Sequence, residues 1–210
     1  MKAFQARSGA ISAISVRGVK IYKNWLAPPE QRSLRDVLRR IARAAPLFSP
    51  ETRFGRPMSV QMTSAGKYGW FSDRMGYRYE ARHPSGVPWP DIPGQVLDIW
   101  RDATGLDREP DCCLINYYRE NTRMGLHQDR DEADFSWPVV SISLGDDALF
   151  RIGNVTRGGK TESIWLQSGD VAVLAGDARL VYHGIDRIRF GSNSLLQGGG
   201  RINLTLRVVD

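Results

Sequence analysis

Cysteine is nearly absent from this 210-residue chain, and the two that occur, Cys112 and Cys113, are adjacent. Neighbouring residues rarely reach disulfide geometry, which excludes a disulfide-stapled secreted scaffold and suits a reducing compartment. Long hydrophobic runs are missing too. A spanning helix needs roughly 18 or more apolar residues, whereas the N-terminal candidate at residues 10–16 is short and broken by serines. Lys2, Arg7, Arg17 and Lys20 precede the first acidic residue, Glu30, but the alternation of Val19-Lys-Ile-Tyr22 is that of a strand, so no leader is read there. The cytoplasm is the expected location, and no membrane is expected as a partner. Without secretion the sequons at Asn154 and Asn203 carry no meaning. Repeats, low-complexity tracts and interdomain linkers are likewise absent.

What remains is an ordinary folded composition, 41% hydrophobic and 25% charged, consistent with a single domain over 1–210. Its 29 basic and 23 acidic residues leave a formal net charge of +6, a balance that raises encounter rates with polyanions.

After a strand at 18–23, Pro28-Pro29 opens a segment whose apolar residues Leu34, Val37, Leu38, Ile41, Ala42 and Ala45 fall at helical spacing. Arg35, Arg39, Arg40 and Arg43 occupy other faces, and Pro46 stops it. Residues 54–93 change texture to glycine, proline, cations and rings, among them Lys67, Trp70, Arg74, Tyr77, Arg78, Tyr79 and Trp89. They read as irregular strands and long loops that either meet nucleic acid or fill a small core. Val96, Leu97, Trp100 and Ala103 make a short amphipathic helix. Beyond it come β-rich runs at 114–118, 139–144, 149–152, 163–167, 171–174, 180–183 and 202–209, most separated by Gly or Asp turns. That pattern predicts a mainly β, α+β chain whose antiparallel jelly-roll core covers about 112–210, with the N-terminal helices and a segment of about 50–93 as layer and lid.

Histidine is also scarce, at three. In extended backbone His127 and Asp129 share a face, so both can point at one divalent metal. His83 lies in a proline-rich turn. His183, ending the run 180–183 before Gly184, is the natural third ligand. Two histidines and a carboxylate leave open positions on Fe(II), although zinc accepts the same set. In Arg201-Ile-Asn203-Leu-Thr205-Leu-Arg207 polar and apolar residues alternate, so Arg201, Asn203, Thr205 and Arg207 share one face. Facing inward, two guanidinium groups need an anionic partner such as a dicarboxylate; the plainer alternative is an exposed edge strand.

These stretches resemble, in order, the motifs of the AlkB family of iron(II)- and 2-oxoglutarate-dependent dioxygenases. The resemblance rests on Leu114-Ile-Asn-Tyr-Tyr118, His127-Gln-Asp-Arg-Asp-Glu132, Val140-Ser-Ile-Ser-Leu-Gly145, Gly169-Asp-Val-Ala-Val173, Arg179-Leu-Val-Tyr-His-Gly-Ile185 and Arg201 to Arg207. Upstream, Met58-Ser-Val-Gln-Met-Thr63, Gly69-Trp70, Gly76-Tyr77 and Pro88-Trp-Pro90 extend it over nearly the whole chain after about residue 16. It implies a double-stranded β-helix with Fe(II) held by His127, Asp129 and His183. The distal carboxylate of 2-oxoglutarate is then expected on Arg201, helped by Tyr118 and Asn203, with its other end near Asn116 and Arg207. The reaction implied is oxidative demethylation of N1-methyladenine and N3-methylcytosine in DNA, preferably single-stranded, and often in RNA, with release of formaldehyde, succinate and CO₂. Trp70 is the implied stacking ring opposite His127, Tyr77 a phosphate or pocket contact, and Asp131 the partner of the base's exocyclic amine. A core role for Trp70 and an ion pair of Asp131 with Arg130 or another cation are the structural alternatives. A monomer is expected.

The chain departs from the family pattern at Leu174, where the best-known bacterial member carries tryptophan, in the turn 153–161, and at Lys67-Tyr68. Rival functions are a 2-oxoglutarate dioxygenase acting on tRNA, protein or a small molecule, a non-catalytic binder of damaged nucleic acid, and a zinc hydrolase. The last has no use for Arg201 and Arg207.

Overall fold

Along the chain run β1 (Ala13–Val16), β2 (Val19–Tyr22), α1 (Pro28–Ala44), β3 (Gln61–Gly66), β4 (Gly69–Asp73), β5 (Gly76–Glu80) and α2 (Gly94–Thr104). There follow β6 (Cys112–Tyr118), β7 (Met124–His127), β8 (Val139–Gly145), β9 (Asp147–Ile152), β10 (Glu162–Leu166), β11 (Val171–Leu174), β12 (His183–Arg189) and β13 (Arg201–Arg207). The structure, a computed structural model, describes residues 13–52 and 54–210, so most of the N-terminal segment weighed above as a leader lies outside the described residues.

The strands form a seven-stranded sheet in the order β1-β2-β11-β8-β13-β6-β3, a four-stranded sheet β10-β9-β12-β7, and a separate hairpin β4-β5. Pairing within all three is antiparallel. This is the double-stranded β-helix expected of the sequence.

Helix α1 begins on two prolines, which lack N–H groups that a first turn leaves unused in any case. The Glu30 carboxylate turns back to accept the Ala27 N–H at 2.7 Å. Its buried residues Leu34, Leu38 and Ile41 lie one turn apart. They share a core with Val96, Ile99 and Trp100 of α2 and with Val140, Ile142, Leu204 and Leu206 of the large sheet. Alternation along β13 therefore sends Leu204 and Leu206 to the helical layer and its polar set to the interior between the sheets. There a second core gathers Leu114, Phe150, Ile152, Leu166, Leu174 and Ile185. Among the described residues no helix is long and apolar enough to cross a membrane.

Two local expectations differ from the structure. The strand around His183 does not end there: it begins there and continues to Arg189, while residues 180–182 follow a 3-10 turn, Gly176–Ala178. Arg187 and Arg189 are the exposed face of a strand that covers the core on one side only, with Asp186 and Ile188 half-buried between them. The other concerns the extended backbone expected at His127 and Asp129: β7 ends at His127, so Asp129 lies beyond the strand, in residues without regular structure.

Candidate active site

His127 closes β7 and pairs in register with His183, which opens β12. Their rings lie 4.6 Å apart between centroids. Asp129, two residues past His127 and buried, brings Oδ1 to 3.7 Å from His127 Nε2 and Oδ2 to 3.6 Å from His183 Nε2. One atom from each of the three lies within 4.8 Å of the others, the spacing of a shared metal ion. Both rings are turned by their own backbone: His127 Nδ1 meets Gly125 O at 3.0 Å and His183 Nδ1 meets Val181 O at 3.0 Å. A carbonyl only accepts, so each Nδ1 carries the proton and each Nε2 keeps a free lone pair toward the centre.

Charge follows from the surroundings. Burial, and next the neighbouring His127, push His183 down to about 4, so its imidazole is neutral, the form that ligates. Burial alone would raise the Asp129 carboxyl, but Arg207, both histidines and Arg179 outweigh it and hold it well below the usual carboxylate range. Arg207 Nη2 donates to Asp129 Oδ1 at 2.7 Å, while Oδ2 is buried without a hydrogen-bond partner. An ionised oxygen left unsatisfied beside two imidazole lone pairs fits a divalent cation.

Next to this centre Arg201 is fully buried. Its Nη2 donates to Ser143 Oγ at 2.9 Å, but Nε and Nη1 meet no acceptor. Burial lowers its pKa to about 10, which still leaves the guanidinium charged at neutral pH. A buried cation with two idle donors is a seat for a carboxylate. Tyr118 faces it across the β6–β13 ladder and donates to Met124 Sδ at 3.6 Å. Asn116 Oδ1 is also buried without a partner, whereas Asn203 Nδ2 is spent on Ser141 Oγ at 2.7 Å. Arg207 is further from idle than the sequence suggests, because it already holds Asp129.

At the rim, the β4–β5 hairpin presents Trp70 and Tyr77 with their rings stacked 5.4 Å apart. Trp70 Nε1 donates to Asp131 Oδ2 at 3.0 Å. Trp70 is thus a half-exposed wall and not a core ring, a part played by the fully buried Trp100. Among the described residues Asp131 makes no ion pair with Arg130. The site residues that the family resemblance implied all line one cavity of about 580 Å³: the three metal-ligand candidates, Asn116, Tyr118, Arg201, Asn203 and Arg207, and Trp70, Tyr77 and Asp131. Leu174 lines it too, and residues 155–161 of the divergent turn are exposed. His83 is elsewhere, bonded to Pro46 O and Ser85. Sequence reasoning missed the roles of Tyr79, Glu132 and Arg179, and no local signal marks them: Glu132 is buried between the exposed residues Asp131 and Ala133, and Arg179 follows the exposed residues 175–177.

Gly184 ties the two halves of the centre. A Cβ there would stand 2.5 Å from Met124 O and 2.7 Å from Gly125 O, backbone atoms of β7 that cannot yield without moving His127 from His183. Gly184→Ala is therefore expected to cost about 1–3 kcal/mol through overpacking and to weaken metal binding. Thermal unfolding and Co(II) titration of the same preparation check both effects.

Comparison with known proteins agrees with this geometry. The family model described as the 2OG-Fe(II) oxygenase superfamily matches residues 18–207. A Caulobacter vibrioides protein named alpha-ketoglutarate-dependent dioxygenase AlkB homolog is 53% identical over 193 residues, 91% of this chain and 88% of its own length. Escherichia coli alpha-ketoglutarate-dependent dioxygenase AlkB is 37% identical over 195 residues, 90% of this chain and 89% of its own. The solved structure of OsALKBH1 superposes with a TM-score of 0.78 at 31% identity, covering 94% of this chain and all of that one. These matches set aside the zinc-hydrolase and non-catalytic alternatives. The chain belongs to the AlkB family of the 2OG-Fe(II) oxygenase superfamily and is a dioxygenase that uses Fe(II) and 2-oxoglutarate.

Proposed function

We propose that this dioxygenase repairs N1-methyladenine and N3-methylcytosine in DNA, single strands before duplex, with RNA as a second substrate. The observation that carries the reading is the pairing, at the mouth of one cavity, of an aromatic wall with a carboxylate: Trp70 against Asp131. A base handled chemically must leave the stack and find a ring to replace it and an acceptor for its exocyclic amine. Trp70 supplies the first, with His127 across the slot. The Oδ1 atom of Asp131 supplies the second, and its negative charge favours these cationic lesions over neutral bases. Tyr77, stacked on Trp70 and exposed, meets the strand beside the flipped base.

Below, His127, Asp129 and His183 hold Fe(II) through two Nε2 atoms and a carboxylate oxygen. Arg201 holds the distal carboxylate of 2-oxoglutarate with its two idle donors; Tyr118 and Asn203 flank it, and Asn116 and Arg207 border the other end. When bound, iron and 2-oxoglutarate let O₂ convert the N-methyl group to N-hydroxymethyl with formation of succinate and CO₂, after which formaldehyde leaves and the base is restored. The apolar lining from Leu114, Leu166, Leu174 and Ile185 keeps water from that chemistry. In this reading the whole chain acts as one domain, a cytoplasmic monomer, with residues of about 50–93 as its substrate-recognition lid.

The test is formaldehyde release, with mass analysis of the bases, from DNA oligonucleotides carrying each lesion, with methylated tRNA as a second arm. Unchanged methyl content in DNA with iron, ascorbate and 2-oxoglutarate present refutes the reading. Base–aromatic stacking is worth about 1–3 kcal/mol, so Trp70→Ala is expected to raise KM by about 5- to 150-fold. A Trp70→Ala variant with unchanged KM removes Trp70 from the base slot.

A further inference from the structure

Asp129 is fixed at both ends by one closed circuit of buried groups. Its Oδ1 accepts from Arg207 Nη2 at 2.7 Å, and its backbone carbonyl accepts from Arg179 Nη1 at 2.6 Å. The two arginines meet again on Glu132. Arg179 Nη2 donates to Oε2 at 3.0 Å, and Arg207 Nε lies 3.3 Å from Oε1, close enough for an ion pair though not aligned as a hydrogen bond. The Glu132 and Arg179 side chains are 1% and 3% exposed, so water does not stand in for a lost partner. Two carboxylates and two guanidinium groups balance, and each contact constrains where Asp129 points.

A third arm enters from outside the metal centre. Tyr79 of β5 donates its hydroxyl to Glu132 Oε1 at 2.5 Å and accepts from Arg207 Nη1 at 3.4 Å. Burial pushes this phenol well above its ordinary value, the nearby Arg207 notwithstanding, so it is protonated and is the donor. Tyr79 pairs in register with Trp70 and stands two residues from Tyr77, which puts all three rings on one face of the hairpin. The hairpin's link to this circuit is one hydroxyl, that of Tyr79, which makes both bonds.

We propose that Glu132 is a positioning residue which, through Tyr79 on one side and the two arginines on the other, couples the seating of the β4–β5 hairpin to the orientation of Asp129. A base stacked on Trp70 holds the hairpin seated and so tightens the metal centre; by linkage, the metal tightens base binding by the same factor. The inference rests on the reading above in which Asp129 holds metal and Trp70 holds the base.

The test uses the full chain, metal-free, titrated with Co(II) in the presence of 2-oxoglutarate, with and without a single-stranded oligonucleotide carrying N1-methyladenine. Visible absorption of bound Co(II) reports binding without turnover. In the wild type the oligonucleotide is expected to raise Co(II) affinity by about 5-fold or more. Tyr79→Phe removes one hydroxyl, leaves the affinity without oligonucleotide within about threefold, and brings the enhancement close to one. Glu132→Gln lowers Co(II) affinity about 10- to 100-fold even without oligonucleotide, the usual effect of losing a partner that orients a ligand. An enhancement that survives Tyr79→Phe, no enhancement in the wild type, or Glu132→Gln with wild-type affinity overturns the proposal. If Glu132→Gln gives no cooperative thermal transition, Tyr79→Phe decides alone. Asp129→Ala and an oligonucleotide-binding measurement separate the layers. Undiminished Co(II) binding in Asp129→Ala overturns the metal assignment, and absence of oligonucleotide binding by the wild type overturns the base-slot reading.

Discussion

Arg201→Ala is expected to yield a folded protein that no longer takes up 2-oxoglutarate at working concentrations. Arg201 is buried, charged, and satisfied through Nη2 alone, with Nε and Nη1 facing no acceptor. Truncating one member of a buried, hydrogen-bonded charge pair costs about 2–5 kcal/mol, which corresponds to a loss of co-substrate affinity between about 30-fold and several thousand-fold. Stability of the metal-free protein is expected to change little. Without co-substrate those donors burden the folded state, since a buried polar group without a partner costs about 1–3 kcal/mol. Their removal offsets much of the cavity created. Calorimetric titration of 2-oxoglutarate and thermal unfolding of the metal-free protein check the two halves. A variant that binds 2-oxoglutarate within threefold of the wild type removes Arg201 from this role.

Asp129→Ala is expected to abolish formaldehyde release and, unlike loss of a histidine, to destabilise the metal-free protein strongly. The carboxylate carries the 2.7 Å bond from Arg207, and without it that buried guanidinium keeps, among the described residues, Glu132 as its one ion-pair partner. Breaking a buried pair by deleting one partner costs about 3–5 kcal/mol. His183 bonds only to the Val181 carbonyl and is neutral where it sits, so His183→Ala removes metal binding at a smaller cost in stability. Denaturant unfolding of both variants beside their turnover distinguishes the cases. Equal stability in the two shows that Arg207 does not depend on Asp129.

Much of this site was legible because its chemistry lies along strands. The alternation of Arg201, Asn203, Thr205 and Arg207 with apolar residues declares which face β13 turns inward, and the structure places that face in the cavity. The periodicity of Leu34, Leu38 and Ile41 likewise declares the buried side of α1. The pairing of His127 with His183 was legible as chemistry but not as geometry, because β7 lacks β-forming residues and β12 starts where the sequence suggests an end. Least legible was the circuit of Glu132, Arg179 and Tyr79. Its members are 47 and 53 positions apart, and no local periodicity records a contact that exists only once β5, the metal-binding loop and the turn before β12 converge.

The hairpin β4–β5 shares no ladder with either large sheet. Two strands of five residues each carry Trp70 and Tyr77, the rings proposed to meet the base, while His127 and His183 stand on strands they do not pair with. Substitutions in the hairpin can accumulate without disturbing strand registers elsewhere, which gives a lineage room to change its clientele while inheriting the same chemistry. Tyr79 is where that freedom narrows, since its hydroxyl meets both Glu132 and Arg207 behind Asp129.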